Sequence, residues 1–137
     1  MTTWIRFARD GITRYGRLEG GAVHVQQGDP FGGAVDTGET LALAQIELLT
    51  PCVPGTYIAL WNNFHAAAAK QGNAIPPEPL FFVKAANCYW PHGRAIRPPP
   101  SYEGRVLYEG ELGVVIGREA RDVDEAQAAE CILGYTC

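Results

Sequence analysis

Alternating apolar and polar residues open the chain. Trp4-Ile-Arg-Phe-Ala alternates in the way a half-buried strand does. Asp10-Gly11 follows, a dipeptide suited to a two-residue hairpin turn. Thr13 to Leu18 and Ala22-Val-His-Val-Gln read as two more strands, separated by Glu19-Gly20-Gly21. Residues 4–26 are therefore expected to form a small β-meander, with His24 a half-exposed strand residue rather than a ligand. Gly28 to Gly33 reads as a loop, Glu39 to Ala44 as a short apolar piece, and Ile46-Glu-Leu-Leu as a further strand. Thr50-Pro-Cys-Val-Pro-Gly then interrupts the pattern. A boundary is placed there, between a small N-terminal β subdomain over 1–50 and a second region over 51–137.

In the second region, Tyr57-Ile-Ala-Leu-Trp predicts a buried strand. Asn62 to Gly72 predicts a helix, with Asn62 or Asn63 as N-cap and Gly72 at its end. His65 falls in that helix's first turn, where the positive pole of the helix opposes a protonated imidazole and favours a neutral one able to accept a proton. A capping or packing role is the alternative. Pro79-Leu-Phe-Phe-Val-Lys predicts a strand with Lys84 at its exit, where a lysine is usually just solvated. Residues 85–104 lack periodicity and hold four prolines, a long loop of the kind that often carries function. Its Tyr89, Trp90, His92 and Arg94 either line a pocket or pack over the core. Val123 to Ile132 predicts a helix capped by Asp122 or Asp124, and Leu133 to Cys137 begins another strand.

Arg105 to Gly117 holds the most informative pattern. Its β-branched and aliphatic content predicts a buried strand, yet Glu109 and Glu111 lie two residues apart inside it. In a strand, residues i and i+2 share a face, so both carboxylates would point one way and Tyr108, Leu112, Val114 and Ile116 the other. Two like charges on an apolar strand repel and lose hydration. A divalent cation would compensate, and oxygen ligands suit Mg²⁺, Mn²⁺ or Ca²⁺. An edge strand whose charged face meets water is the competing reading.

Composition narrows the classes. The chain has 137 residues, 47% of them hydrophobic, and a net charge of −4. No basic run or stripe is present, which argues against nucleic acid or an anionic membrane surface as partner. No apolar run approaches the roughly 18 residues of a membrane span. Residues 1–10 lack the long apolar core and small-residue cleavage site of a secretory signal. The four cysteines are dispersed with no CxxC pair, so free thiols in a reducing cytoplasm are expected rather than a zinc site. Gly 16 and Pro 10 fit a turn-rich β protein.

Tyr108-Glu-Gly-Glu-Leu-Gly-Val-Val-Ile-Gly117, then an acidic helix, then Ile132-Leu-Gly-Tyr-Thr136, resembles the metal-binding core of the fumarylacetoacetate hydrolase family. Upstream, Arg6-Phe7, Gly11, Arg14 to Gly20, and Gly28-Asp-Pro-Phe31 resemble the small N-terminal domain of its bacterial members, in the same order. Among these are isomerases of 2-hydroxyhepta-2,4-diene-1,7-dioate and acylpyruvases.

The resemblance implies a mainly β fold with short helices, a mixed β-roll, beside the N-terminal β subdomain, usually as a homodimer. It implies Mg²⁺ or Mn²⁺ held by Glu109, Glu111 and an aspartate a few residues after Gly134-Tyr-Thr. That aspartate would fall beyond Cys137, so a truncated or split chain is expected. The family's G-x-N-Y-x-x-H-x-x-E element matches Ala59 to Ala68, which keeps His65 and replaces the glutamate by Ala68. Lys84 matches a family lysine able to neutralise a substrate carboxylate. The implied substrates are small 2-oxo or β-dicarbonyl acids, reacting through a metal-stabilised enolate. C–C bond hydrolysis is the first expectation. Isomerisation, decarboxylation of oxaloacetate, or a non-catalytic keto-acid-binding role are the alternatives. The missing glutamate tilts the balance away from strict hydrolysis, because hydrolysis needs an activated water.

Overall fold

The computed structural model describes residues 2–137. They fall into two compact units: residues up to Pro51 together with Pro91–Cys137, and Cys52–Trp90. Strands dominate both, as the turn-rich composition predicts. Among the described residues, no helix is long and apolar enough to cross a membrane.

The N-terminal sheet has five antiparallel strands: β1 (Thr3–Arg9), β2 (Ile12–Glu19), β3 (Ala22–Asp29), β4 (Gly33–Ala42) and β5 (Glu47–Leu48). Their spatial order is β4-β3-β2-β1-β5. The first hairpin turns on Asp10 and Gly11, both at positive φ (52° and 76°), the backbone form that matches the twist of the flanking strands. Alternation then puts Ile5 and Phe7 on the face they share with Val23, Val25 and Leu41, and these five form the buried core. Leu18, Ile46 and Leu48 pack against it.

Gly16 is the small residue that lets this core close. It pairs with Ile5 on one side and Val25 on the other. A Cβ at Gly16 would lie 2.8 Å from Val23 Cγ1 and 3.2 Å from Phe7 Cε1. Both neighbours are fully buried and have no room to withdraw.

The sheet is larger than the expected meander. Residues 30–32 make a turn, as the loop reading expects, but the chain from there through most of the short apolar piece forms the ten-residue β4, bent by a bulge. His24 pairs with Thr40 and Gln26 with Asp36, so Thr37, Gly38 and Glu39 stand opposite Val25 alone. Local side chains hold this bulge. Asp36 Oδ1 accepts from Gly38 N–H at 2.8 Å, and Thr37 Oγ1 donates to the Val25 carbonyl at 2.9 Å. Arg17 on β2 reaches across to Asp36 at 2.7 Å. The Gly38 amide and then the Arg17 guanidinium hold the Asp36 carboxyl below its ordinary value of 3.8.

The Cys52–Trp90 unit contains β6 (Tyr57–Trp61), α1 (His65–Gln71) and β7 (Leu80–Lys84). β6 and β7 form a two-stranded antiparallel sheet. Two expectations are corrected here. The strand over 57–61 exists but is not buried, since Ile58, Leu60 and Trp61 are exposed. The N-cap of α1 is Phe64, with no side-chain cap, rather than Asn62 or Asn63. Asn62 sits at φ 53° and spends its side chain on the Ala74 carbonyl at 3.0 Å. The helix closes as expected on Gly72 in the left-handed form.

The largest correction concerns residues 105–117. Only Gly113–Ile116 forms a strand, β8, paired with β9 (Ile132–Thr136). Residues 105–112 have no regular structure and are exposed. A strand needs a neighbour for its N–H and C=O groups, and the ladder with β9 spans only 113–116. Between β8 and β9 runs α2 (Glu125–Glu130), shorter than the predicted helix. Its Asp124 cap accepts from Gln127 N–H at 2.8 Å, one of the two alternatives the sequence left open. In the loop before residue 105, Arg94 pairs with Glu47.

Two outcomes test this account. Relief of glycine's chain entropy would make Gly16→Ala stabilising by about 0.5–1 kcal/mol, but overpacking costs about 1–3 kcal/mol. The clash should win, giving a lower urea midpoint. Asp36 stabilises the fold with its carboxylate ionised, so its contribution is present above pH 3.8 and is lost as pH falls through the lowered value. The melting-temperature gap between the wild type and Asp36→Asn should therefore narrow on acidification below pH 3.8.

Candidate functional site

Glu109 and Glu111 lie in the irregular segment immediately before β8, both exposed. Strand alternation therefore does not set their orientation. Gly113, which begins β8, fixes where the segment ends: a Cβ there would meet Thr136 Cγ2 at 2.9 Å. Among the described residues, no group of three or more His, Cys, Asp or Glu side chains is placed to hold a metal ion. Two carboxylates offer the hard oxygen donors that Mg²⁺ or Mn²⁺ takes, and Mg²⁺ is commonly held by one or two carboxylates with water and substrate oxygens completing its shell. The pair fits part of such a site and does not make a closed cage.

Lys84 is better defined. It ends β7 directly opposite Tyr57, and Phe82 lies two residues before it on the same face. Its ammonium stands 5.3 Å from the Tyr57 ring centroid and 5.9 Å from that of Phe82. Both distances fall within cation–π range, so the aromatic faces steady the charge without neutralising it. Tyr57 and Phe82 were not singled out from the sequence. The signal was the strand register, which single-strand periodicity does not carry.

His65 is the first residue of α1 and is exposed. Ala68, three residues later, is 1% exposed. Positions i and i+3 are neighbours on a helix, so a longer side chain at 68 would start beside the imidazole from a closed-in Cβ. His65 and Lys84 belong to the Cys52–Trp90 unit, and Glu109 and Glu111 belong to the other. His24 is half-buried in β3, as a strand histidine. No disulfide joins the four cysteines.

Residues 56–137 match the model of the fumarylacetoacetate (FAA) hydrolase C-terminal family. The chain belongs to the fumarylacetoacetate hydrolase family. Residues 3–51 match a second model, described as Rv2993c-like, N-terminal. Among curated relatives, protein Rv2993c of Mycobacterium tuberculosis is 36% identical over 107 residues, 78% of this chain and 40% of that protein. The 4-hydroxyphenylacetate degradation bifunctional isomerase/decarboxylase of Salmonella dublin is 43% identical over 82 residues, 60% of this chain and 19% of its own length. The crystal structure of 5-carboxymethyl-2-hydroxymuconate delta-isomerase from Mycobacterium smegmatis superposes with a TM-score of 0.83 at 32% identity, covering 98% of this chain and 52% of that one. The chain thus spans about half, or less, of the length of these relatives. The mainly β fold expected of the family is the fold observed.

The burial of Ala68 yields a prediction. Ala68→Glu puts a carboxylate next to His65 but overpacks a closed position, at a cost of about 1–3 kcal/mol. The variant should lose thermal stability relative to His65→Gln, whose side chain is exposed, when both are compared by calorimetry.

Proposed function

We propose that this chain carries the N-terminal part of a divalent-metal-dependent enzyme that isomerises or decarboxylates small 2-oxo or β-dicarbonyl acids and works as a homodimer. The observation that carries the reading is membership of the fumarylacetoacetate hydrolase family across 56–137, the span that holds Glu109, Glu111, His65 and Lys84. Isomerase and decarboxylase are the activities in the names of the Salmonella and M. smegmatis relatives. Ala68 supports the same preference over hydrolysis, because His65 has no carboxylate at that position to raise its basicity toward water.

Glu109 and Glu111 would hold Mg²⁺ or Mn²⁺. When bound, such an ion supplies Lewis-acid polarisation of substrate oxygens. Lys84, steadied between Tyr57 and Phe82, pairs with a substrate carboxylate. The exposed imidazole of His65 takes up or returns a proton on the substrate carbon framework. These roles need no attacking water. A second reading, a keto-acid-binding homologue without turnover, draws on the two-carboxylate donor set.

The test has a binding arm and a turnover arm. Mn²⁺ titration followed by electron paramagnetic resonance should show binding that Glu109→Gln or Glu111→Gln weakens by about 10–100-fold, at least the loss that outer-shell partners of metals cause. Oxaloacetate, an acylpyruvate and a 2-hydroxydienoate are then offered with and without EDTA. Turnover that survives EDTA, or Mn²⁺ affinity indifferent to both glutamates, would refute the assignment. Mn²⁺ binding with no turnover of any of the three selects the second reading.

A further inference from the structure

We infer that Tyr57 and Phe82 are specificity-determining residues at Lys84: they favour a carboxylate carried on an apolar carbon chain over a compact dicarboxylate. This deepens the reading above, since it rests on Lys84 pairing with a substrate carboxylate, and it concerns the Cys52–Trp90 unit alone.

The register of the hairpin sets the surroundings of the charge. Tyr57 lies opposite Lys84, Ala59 opposite Phe82, and Trp61 opposite Leu80. Residues opposite one another in an antiparallel ladder share a face, and so do residues two apart along a strand. These six side chains therefore form a strip on one face of β6–β7, with the ammonium at one end. Successive pairs are about 7 Å apart along the strands. Phe82 comes first along the strip, then Leu80 and Trp61. Ala59 carries only a Cβ, so the strip is low between Tyr57 and Trp61.

The Lys84 ammonium stands 5.3 Å from the Tyr57 ring centroid and 5.9 Å from that of Phe82. An aromatic face is electron-rich, so it attracts a cation and repels an anion. A carboxylate that accepts from Lys84 brings its own carbon chain beside these rings. Each methylene-sized group that leaves water there is worth about fourfold in affinity. A second carboxylate about 6–7 Å from the ammonium gains only about threefold in water, and less with salt. The ring faces oppose that second charge as well. Two carbons of chain therefore outweigh it by about fivefold.

The test uses the 137-residue chain without metal. Chemical-shift titration read at the Lys84 side chain gives affinities for sorbate (a conjugated monocarboxylate), sorbyl alcohol and malonate. Sorbate should bind about fivefold or more tighter than malonate, and sorbyl alcohol, without the charge, weaker than sorbate. Tyr57→Thr with Phe82→Thr should bring sorbate and malonate to within about twofold of each other, since the apolar contact is lost. Tyr57→Phe, which keeps the ring, and Val83→Thr, on the opposite face, should both retain the preference. Cross-strand contacts between Leu60 and Phe81 report whether the hairpin persists in each variant. Malonate binding as tightly as sorbate to the wild type would overturn the assignment, and that comparison needs no variant. So would a preference that survives loss of both rings in an intact hairpin, or sorbate that leaves Lys84 unmoved. Metal-dependent turnover without the preference would sink this assignment and leave the proposed activity standing. The preference without turnover would do the reverse.

Discussion

Backbone pairing is the constraint on which this structure depends. Each strand carries N–H and C=O groups that must find partners, and a row of side chains that must find a face to meet. The N-terminal sheet satisfies both demands. Four strands pair in sequence order and β5 returns beside β1, and Ile5, Phe7, Val23, Val25 and Leu41 close a core from one side of the sheet. The downstream hairpins satisfy the pairing demand along one edge each and leave apolar faces in water. Residues 105–112 lie outside any strand ladder and adopt no regular form.

The candidate chemistry follows the same gradient. Lys84 sits at a paired position, and pairing sets its surroundings: Tyr57 is across the ladder and Phe82 is on the same face. Glu109 and Glu111 precede the ladder, so strand pairing does not set their orientation. His65 is placed by a seven-residue helix whose buried contact is Ala68. A site of this kind gains its geometry when the segments bearing its side chains gain strand or helix partners. The same two conditions, pairing and cover, therefore govern both fold and chemistry.

The bulge in β4 shows how local chemistry and sheet geometry reinforce each other. Asp36 caps the Gly38 amide within its own strand and receives Arg17 from β2. One carboxylate thus fixes the bend and ties it across two strands. Nothing in the local alternation marks that strand, because bulged residues break the period of two on which a strand is recognised. This is why 39–44 read as an isolated fragment although residues 39–42 lie in β4, whereas the loop read over 28–33 does contain the turn at 30–32.

What the sequence determined by itself is what short-range physics dictates. Asp10-Gly11 dictated the first hairpin, Gly72 the end of α1, and the alternation around Ile5 and Phe7 the inward face of β1. The ordered blocks around Glu109, Glu111 and Gly134-Tyr-Thr also sufficed to place the chain in its family. The tertiary structure alone decided which strands acquire neighbours. It shortened the expected strand over 105–117 to Gly113–Ile116, moved Glu109 and Glu111 out of it, and left β6 half-exposed. It also placed Tyr57 and Phe82 around Lys84. A residue's propensity is carried in its own side chain. A strand's burial and register depend on residues distant in sequence, and only the folded chain brings those together.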